Sequence, residues 1–85
     1  MAVYSVLLRD SVRKDLESIP RKDLQRLIQR IENLASEPKP VGCEKLSGQE
    51  RYRVRQGNYR IIYSVQDCEL TIWVVKVAHR REVYR

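Results

Sequence analysis

The sequence predicts an α+β domain with an N-terminal strand, an αα-hairpin and a three-strand antiparallel meander, with both helices on one face of the sheet. Three observations predict it: an apolar, β-branched run opens the chain, two amphipathic segments meet at Pro20, and alternating apolar and polar runs fill residues 52–78. The chain has 85 residues, of which 42% are hydrophobic. This suffices for a modest core, so we expect residues 1–85 to form a single domain.

The N-terminal part contains the predicted first strand and first helix. Residues 2–8 are apolar, β-branched and aromatic, which favours a strand. Asp10 or Ser11 then offers an N-cap, and Pro20 marks the end of the helix. The apolar face of this helix comprises Val12, Leu16 and Ile19.

The second helix is predicted to start at Arg21 and to stop near Ser36, because Pro38 and Pro40 cannot continue it. Its apolar stripe comprises Leu24, Leu27, Ile28, Ile31 and Leu34. We expect this stripe to lie in the core. Residues 37–48 are then predicted to form a polar loop.

The rest of the chain reads as three strands. Residues 52–56 and 59–66 alternate on either side of Gly57-Asn58, which is a good signal for a two-residue hairpin turn. Asp67-Cys68 is a weaker turn before a strand at residues 69–78, since neither residue readily adopts a positive φ. These strands complete the predicted meander.

The hairpin register brings three arginines together. With a two-residue turn, Arg55 lies opposite Arg60, and Arg53 lies opposite Ile62. Because side chains alternate along a strand, the three arginines share one face of the sheet. Tyr52 and its alternating neighbours then point to the other face, toward the helices. Like charges opposite each other are unfavourable, which indicates an anionic ligand that neutralises them. Arginine suits phosphate because its planar fork binds bidentately. The alternative is that they form the solvated face of a half-buried sheet.

The positive charge is concentrated in the second part of the chain. The net charge is +6, of which residues 1–50 contribute +1 and residues 51–85 contribute +5. Nucleic acid and an acidic protein are the two obvious partners for such a surface. Cys43 and Cys68 are too few for a disulfide framework and fit a reducing cytoplasm. No spacing resembles a metal site and no run is long enough to cross a membrane, so we expect no metal, cofactor or membrane partner.

Three other side chains are candidates for contacts with RNA. Extending the register through the second turn places Trp73 opposite Ile62, where it could stack on a base, although a tryptophan at such a position more often fills the sheet or a protein interface. His79 follows the last strand and is more often a packed residue than a catalyst. Tyr84 lies near Arg80 and Arg81, which would lower its pKa toward the range of a general base, or its ring could cover the sheet edge.

The chain resembles the RelE branch of the RelE/ParE toxin superfamily. The resemblance is carried by four ordered segments, whose sequences are KLSG at residues 45–48, YRVR at 52–55, GNYRIIY at 57–63 and HRREVY at 79–84. It covers essentially the whole chain. It implies a toxin of a type II toxin–antitoxin pair that enters the ribosomal A site and cuts mRNA there without a metal, with an acidic antitoxin, the ribosome and mRNA as partners.

The resemblance also implies site residues. Arg53 and Arg55 match two basic positions, Arg60 matches the arginine at the scissile phosphate, and Arg80 or Arg81 matches a second phosphate or leaving-group contact. Tyr84 matches a C-terminal tyrosine that helps to activate the 2′-hydroxyl. Lys45, Trp73, His79 and Arg81 are expected to contact substrate. Where a relative has a lysine that can transfer a proton, this chain has Arg55, which stays protonated and would act only electrostatically. The resemblance therefore favours Tyr84 as the general base.

Two other functions remain open at the level of the sequence. A ParE-like protein would share the fold but poison DNA gyrase and cut nothing, and it would generally lack the set of Arg53, Arg55, Arg60 and Tyr84. A non-catalytic nucleic-acid-binding module would bind RNA or DNA and leave it intact. Mapping mRNA ends after incubation with programmed ribosomes separates these possibilities from a nuclease.

Overall fold

A computed structural model describes residues 3–46 and 51–79 and has two helices packed on one face of a five-stranded mixed sheet. The strands are β1 (Ser5–Leu8), β2 (Glu44–Lys45), β3 (Arg51–Gln56), β4 (Tyr59–Gln66) and β5 (Thr71–His79), and the helices are α1 (Asp10–Glu17) and α2 (Arg21–Asn33). The strand order is β1-β5-β4-β3-β2, with β1 parallel to β5 and the other neighbours antiparallel. The predicted α+β architecture is confirmed. In the described part of the chain, neither helix is long and apolar enough to cross a membrane.

The helices cover the sheet as their apolar stripes predict, except that Ile28 of the α2 stripe is 41% exposed and lies outside the core. Their buried side chains are Val12 on α1, Leu27 and Ile31 on α2, and Leu34 just after α2. These pack against the alternate residues of the strands that point to the same side, namely Tyr52, Val54, Ile61, Tyr63, Val65, Ile72, Val74 and Val77. Among the described residues, one face of the sheet is therefore committed to the core, and the helices leave the other face uncovered.

The helix boundaries differ slightly from those predicted. The N-cap of α1 is Arg9, one residue before the predicted position, so Asp10 lies in the first turn, where a carboxylate interacts favourably with the helix dipole. Pro20 is the N-cap of α2, and α2 ends at Asn33 rather than near Ser36. Helix ends commonly shift by this much because the last turn contributes few hydrogen bonds.

The β3–β4 hairpin has the predicted register. Arg55 pairs with Arg60, Arg53 with Ile62, and Gln56 with Tyr59 across the two-residue turn. Gly57 has a φ of 60°, which a primed hairpin turn requires at its first central residue and which glycine adopts without a steric penalty. The local chemistry of Gly57-Asn58 is thus enough to fix the pairing of both strands.

The predicted register between β4 and β5 is wrong. The chain between these strands forms a 3₁₀ turn at Asp67–Glu69 followed by Leu70 in the left-handed region (φ 49°), so the connection has four residues rather than two. Trp73 consequently pairs with Ser64 instead of Ile62. A bulge then shifts the register again, and Ile62 pairs with Lys76. Neither irregularity has a local signal as strong as Gly57-Asn58.

The loop predicted at residues 37–48 contains a short strand. In β2, Glu44 pairs with Arg53 and Lys45 with Tyr52, and the backbone N–H of Leu46 donates to the carbonyl of Arg51. The strand is polar and two residues long, so no alternation reveals it in the sequence. It covers only the first half of β3 and places Glu44 on the same face as Arg53.

A buried tyrosine anchors this loop to the sheet. The hydroxyl of Tyr63 donates a hydrogen bond of 2.7 Å to the carbonyl oxygen of Pro38, and the side chain is 0% exposed. Burial raises the pKa of Tyr63 far above its ordinary value, so the hydroxyl keeps its proton and remains a donor. This contact holds the segment that leads into β2.

Candidate nucleic-acid interface

Three arginines lie on the face of the sheet that the helices leave uncovered. Arg53 and Arg55 alternate with the core residues Tyr52 and Val54 along β3, and Arg60 lies opposite Arg55 on β4. The strand pleat therefore places all three side chains on one side, as the sequence predicts. Two of the charges are directly opposed, which an isolated sheet disfavours.

Arg60 differs from the other two in its burial. It is 4% exposed, whereas Arg53 is half-buried and Arg55 is exposed. Its partner on β5 is Ala78, whose small side chain takes up little space beside the guanidinium. Nη1 of Arg60 lies 3.4 Å from the carbonyl oxygen of Tyr59, which is a long hydrogen bond. Arg60 therefore contributes a nearly buried positive charge beside the exposed guanidinium of Arg55.

Glu44 of β2 lies beside the three arginines. Oε2 of Glu44 lies 2.7 Å from Nη2 of Arg53, close enough for an ion pair with a hydrogen bond. The Arg53 guanidinium holds the pKa of the Glu44 carboxyl below its ordinary value of 4.5, and Arg55 and Arg60 act in the same direction while desolvation opposes them. The Glu44 carboxylate thus interacts electrostatically with all three arginines.

Helix α2 adds a fourth guanidinium. Since β2 covers only the first half of β3, the second half forms a sheet edge that faces α2, and Arg30 reaches the arginine cluster there. Among the described residues, Nε of Arg30 is a buried side-chain nitrogen without a hydrogen-bond partner. The resulting cleft has a volume of about 270 Å³. It is lined by Arg30, Gly42, Glu44, Arg53, Arg55 and Arg60, and we call it the arginine cleft.

The composition of the arginine cleft determines what it can bind. In the described part of the chain, four guanidinium groups line it against one carboxylate, so it carries an excess of positive charge. Guanidinium groups bind phosphate oxygens through charge-assisted, bidentate hydrogen bonds. They stay protonated at any ordinary pH and so can stabilise negative charge but cannot accept a proton. The cleft is therefore suited to an oxyanion.

The other predicted contact residues lie outside this cleft. Trp73 is on the arginine face, but the four-residue turn moves it along the sheet, and it lines a separate cavity with Leu8 and Arg9. Lys45 pairs with Tyr52, so it is exposed at the sheet edge on the helix side. The sheet thus brings neither of them to Arg60.

His79 also lies away from the arginines. It pairs with Tyr59, whose side chain packs against the core on the helix side, and the two rings meet edge to face with centroids 5.6 Å apart. His79 lines a cavity there with Asp15 and Ser18 of the α1 region. The pleat therefore separates it from Arg60 although the two residues are on neighbouring strands.

Three predicted site residues, Arg80, Arg81 and Tyr84, lie outside the described residues, and their assignments stay predictions. Within residues 3–46 and 51–79, no three His, Cys, Asp or Glu side chains are grouped so that they could hold a metal ion.

Sequence reasoning missed Glu44 and Arg30. Glu44 lies in β2, a strand of two polar residues that has no alternation of apolar and polar residues to reveal it. Arg30 had a usable signal, because it is three residues after Leu27 and four before Leu34, which puts it on the flank of the buried stripe. A long cation at that position can extend from the helix flank to the sheet edge.

Comparisons with known proteins agree with this architecture. A family model described as the ParE toxin of the type II toxin–antitoxin system parDE matches residues 6–84. Toxin RelG of Mycobacterium tuberculosis is 30% identical over 86 residues, covering 96% of this chain and 97% of RelG. The match to the family model includes most of the described sheet and the C-terminal segment that carries Arg80, Arg81 and Tyr84.

Solved structures share the fold at closely similar dimensions. A chain of the archaeal RelE–RelB complex of Pyrococcus horikoshii gives a TM-score of 0.84 at 33% identity, with 92% of this chain and 96% of that chain covered. The toxin–antitoxin complex RelBE2 of Mycobacterium tuberculosis gives 0.83 at 26% identity, with 94% of each chain covered. The chain therefore belongs to the RelE/ParE superfamily of toxins of type II toxin–antitoxin systems.

Proposed function

We propose that this toxin is an endoribonuclease that cuts mRNA in the ribosomal A site and so stops translation. The observation that carries the proposal is the convergence of Arg53, Arg55 and Arg60 in one cleft on the open face of the sheet. The relatives named RelG and RelE support the nuclease branch of the superfamily. The ribosome is rich in RNA, so the positive C-terminal part of the chain also suits docking there.

The proposed reaction needs no metal ion. The 2′-oxygen of the RNA loses its proton to a base and attacks the adjacent phosphorus, forming a cyclic phosphate. The bond from phosphorus to the 5′-oxygen breaks, and that oxygen takes up a proton from solvent water as it leaves. Negative charge builds up on the phosphate oxygens in between, and the guanidinium groups of the arginine cleft stabilise it. Their contribution is electrostatic, because arginine does not give up its proton.

The proton transfers require groups other than the three arginines. We propose that Tyr84 takes the proton from the 2′-hydroxyl, with its pKa lowered by nearby arginines. Arg80 or Arg81 is proposed as the second phosphate or leaving-group contact. Tyr84→Phe is expected to slow cleavage by about 10²–10⁴-fold, the range for general-base assistance, and to affect ribosome binding less. Cleavage at the parental rate would show that another group is the base.

A cognate acidic antitoxin is the proposed protein partner in a cytoplasmic setting. The Pyrococcus horikoshii and Mycobacterium tuberculosis relatives were each solved as complexes of toxin with antitoxin. An acidic segment that folds over the open face would neutralise or cover the arginine cleft and so silence the enzyme.

The test of the proposed function is cleavage on programmed ribosomes. Toxin is mixed with ribosomes that hold a defined codon in the A site, and the ends of the mRNA are mapped. We expect a cut within the A-site codon in the presence of chelator. Intact mRNA under these conditions would overturn the proposal.

A second function is favoured by one observation, because the matching family model is described as a ParE toxin. A ParE-like protein would poison DNA gyrase without cutting RNA. Supercoiling by purified gyrase in the presence of the toxin distinguishes the two: inhibition with intact mRNA supports the ParE-like function, and unimpaired supercoiling with cut mRNA supports the nuclease.

A further inference from the structure

Glu44 and an RNA phosphate require the same guanidinium group. The carboxylate of Glu44 lies 2.7 Å from Nη2 of Arg53 and lines the arginine cleft beside Arg55 and Arg60. A phosphate that binds bidentately to Arg53 from the cleft would have to share or replace this contact. The two anions also repel each other at short range.

The position of Glu44 is set by the fold and not by a flexible side chain alone. Its backbone is paired with that of Arg53 in β2, and the preceding loop is fastened by the hydrogen bond from Tyr63 to Pro38. The carboxylate is nevertheless accessible, because the side chain of Glu44 is 65% exposed while that of Arg53 is 21% exposed. It can therefore swing into solvent at a small energetic cost, since exposed ion pairs contribute little.

The charge state of Glu44 argues against a role as proton acceptor. Its hydrogen bond to Arg53, aided by Arg55 and Arg60, lowers the pKa of the carboxyl, and a base is most effective when its pKa lies near the working pH. A carboxylate whose pKa is lowered is a weaker base than an ordinary one. It is, however, a persistent anion at neutral pH.

We propose that Glu44 is a built-in counter-anion that competes with RNA phosphate for the arginine cleft, and that substrate binding displaces its carboxylate from Arg53. The inference rests on the proposed function only in taking RNA phosphate as the ligand. Glu44 is a positioning residue in this account: it holds Arg53 in place in the free toxin, and it weakens the binding of an incoming anion by the small free energy needed to displace its carboxylate.

The consequence is selectivity. The cost of displacing Glu44 lowers the affinity for a single phosphate or a stray RNA strand, whereas an RNA held by many contacts on the ribosome supplies the phosphate at an effective concentration high enough to offset that cost. Loss of the Glu44 charge should therefore strengthen binding of short, isolated anions most.

The experiment compares Glu44→Gln with the parent and with Glu17→Gln in binding a probe that cannot be cut. The probe is a short single-stranded RNA with 2′-O-methyl groups throughout, which removes the attacking hydroxyl, and inorganic phosphate is titrated in parallel. Glu17 is exposed on α1, so its variant has the same change in net charge outside the cleft. Binding is followed by NMR through the side-chain N–H signals of the arginines.

We expect Glu44→Gln to bind both probes about two- to five-fold more tightly than the parent, the range that corresponds to one exposed ion pair. Glu17→Gln should match the parent at moderate salt. In a background of Arg53→Gln, the gain from Glu44→Gln should shrink, because the shared partner is gone. If Glu44→Gln altered only the stability of the fold, its effect on binding would not depend on the presence of Arg53.

Equal or weaker binding by Glu44→Gln would overturn the inference, and weaker binding would show that Glu44 serves only to orient Arg53. An equal gain in Glu17→Gln would also overturn it, since the effect would then be one of net charge. None of these outcomes depends on cleavage or on the ribosome, so the failure of this inference is distinguishable from failure of the proposed nuclease function.

Discussion

Arg55 and Arg60 face each other across two strands, yet they have different surroundings and should respond differently to substitution. Arg60 is 4% exposed, so Arg60→Ala leaves a buried gap as well as removing a charge, although we expect it to keep the fold and abolish cleavage. Arg55 is exposed, so its replacement changes the charge of the arginine cleft with little effect on packing. Arg55 is therefore the cleaner position for testing electrostatic catalysis.

The ion pair between Arg53 and Glu44 makes a testable prediction about titration. In the parent, the pKa of Glu44 should lie below its ordinary value of 4.5, mainly because of Arg53. In Arg53→Gln it should rise toward that value, whereas Arg51→Gln on the same strand should leave it low. Side-chain carboxyl shifts in ¹³C NMR measure this directly. An unchanged Glu44 pKa in Arg53→Gln would contradict the assigned cause.

The ion pair between Arg53 and Glu44 also makes the free energy of unfolding depend on pH. A carboxyl whose pKa is lower in the folded state contributes stability that is fully present above the unfolded pKa and is lost as the pH falls through the folded pKa. For Glu44 this loss therefore occurs in the acidic range below its ordinary pKa. Denaturant titrations of the parent and Glu44→Gln should diverge at neutral pH and converge as the pH falls through that range.

At the scale of elements, the sequence was informative wherever a local signal was strong. Gly57-Asn58 was sufficient to give the β3–β4 register and hence the shared face of the arginines. The two-residue turn predicted at Asp67-Cys68 is wrong, because the connection continues to Leu70, a residue type that rarely adopts the positive φ found there. The pairing of β2 with β3 depends on tertiary contacts such as the Tyr63 hydrogen bond, which no local pattern reports.

The anchoring role of Tyr63 gives a prediction at the same scale. Tyr63→Phe removes the donor to the carbonyl of Pro38 and should reduce the free energy of unfolding by about 1–3 kcal/mol, the usual cost of leaving a buried polar group unpaired. Tyr4→Phe is the matched control, because its hydrogen bond to Asp67 is exposed and should contribute less. Urea unfolding measures both. A larger loss in Tyr4→Phe would refute the assignment of the anchor.

At the scale of the whole molecule, the fold separates two surfaces. Within the described residues, the helices bury one face of the sheet, and Arg51, Arg53, Arg55 and Arg60 lie on the face that the helices leave uncovered. Binding of RNA should therefore weaken as salt rises, because counterions are released from the phosphates. Loss of one phosphate contact in Arg55→Ala should reduce the magnitude of the salt slope by about 0.7 for a single strand. Fluorescence anisotropy over a range of salt measures the slope, and an unchanged slope would exclude a phosphate contact by Arg55.

The most direct test of the account is the single-turnover rate of mRNA cleavage on programmed ribosomes for Arg55→Ala and for Arg13→Ala, which removes an exposed arginine of α1 outside the arginine cleft. If the cleft stabilises the charge on the scissile phosphate, Arg55→Ala should cleave about 10²–10³-fold more slowly than the parent at saturating toxin. Arg13→Ala should cleave at close to the parental rate. Equal rates for the two variants would contradict the account.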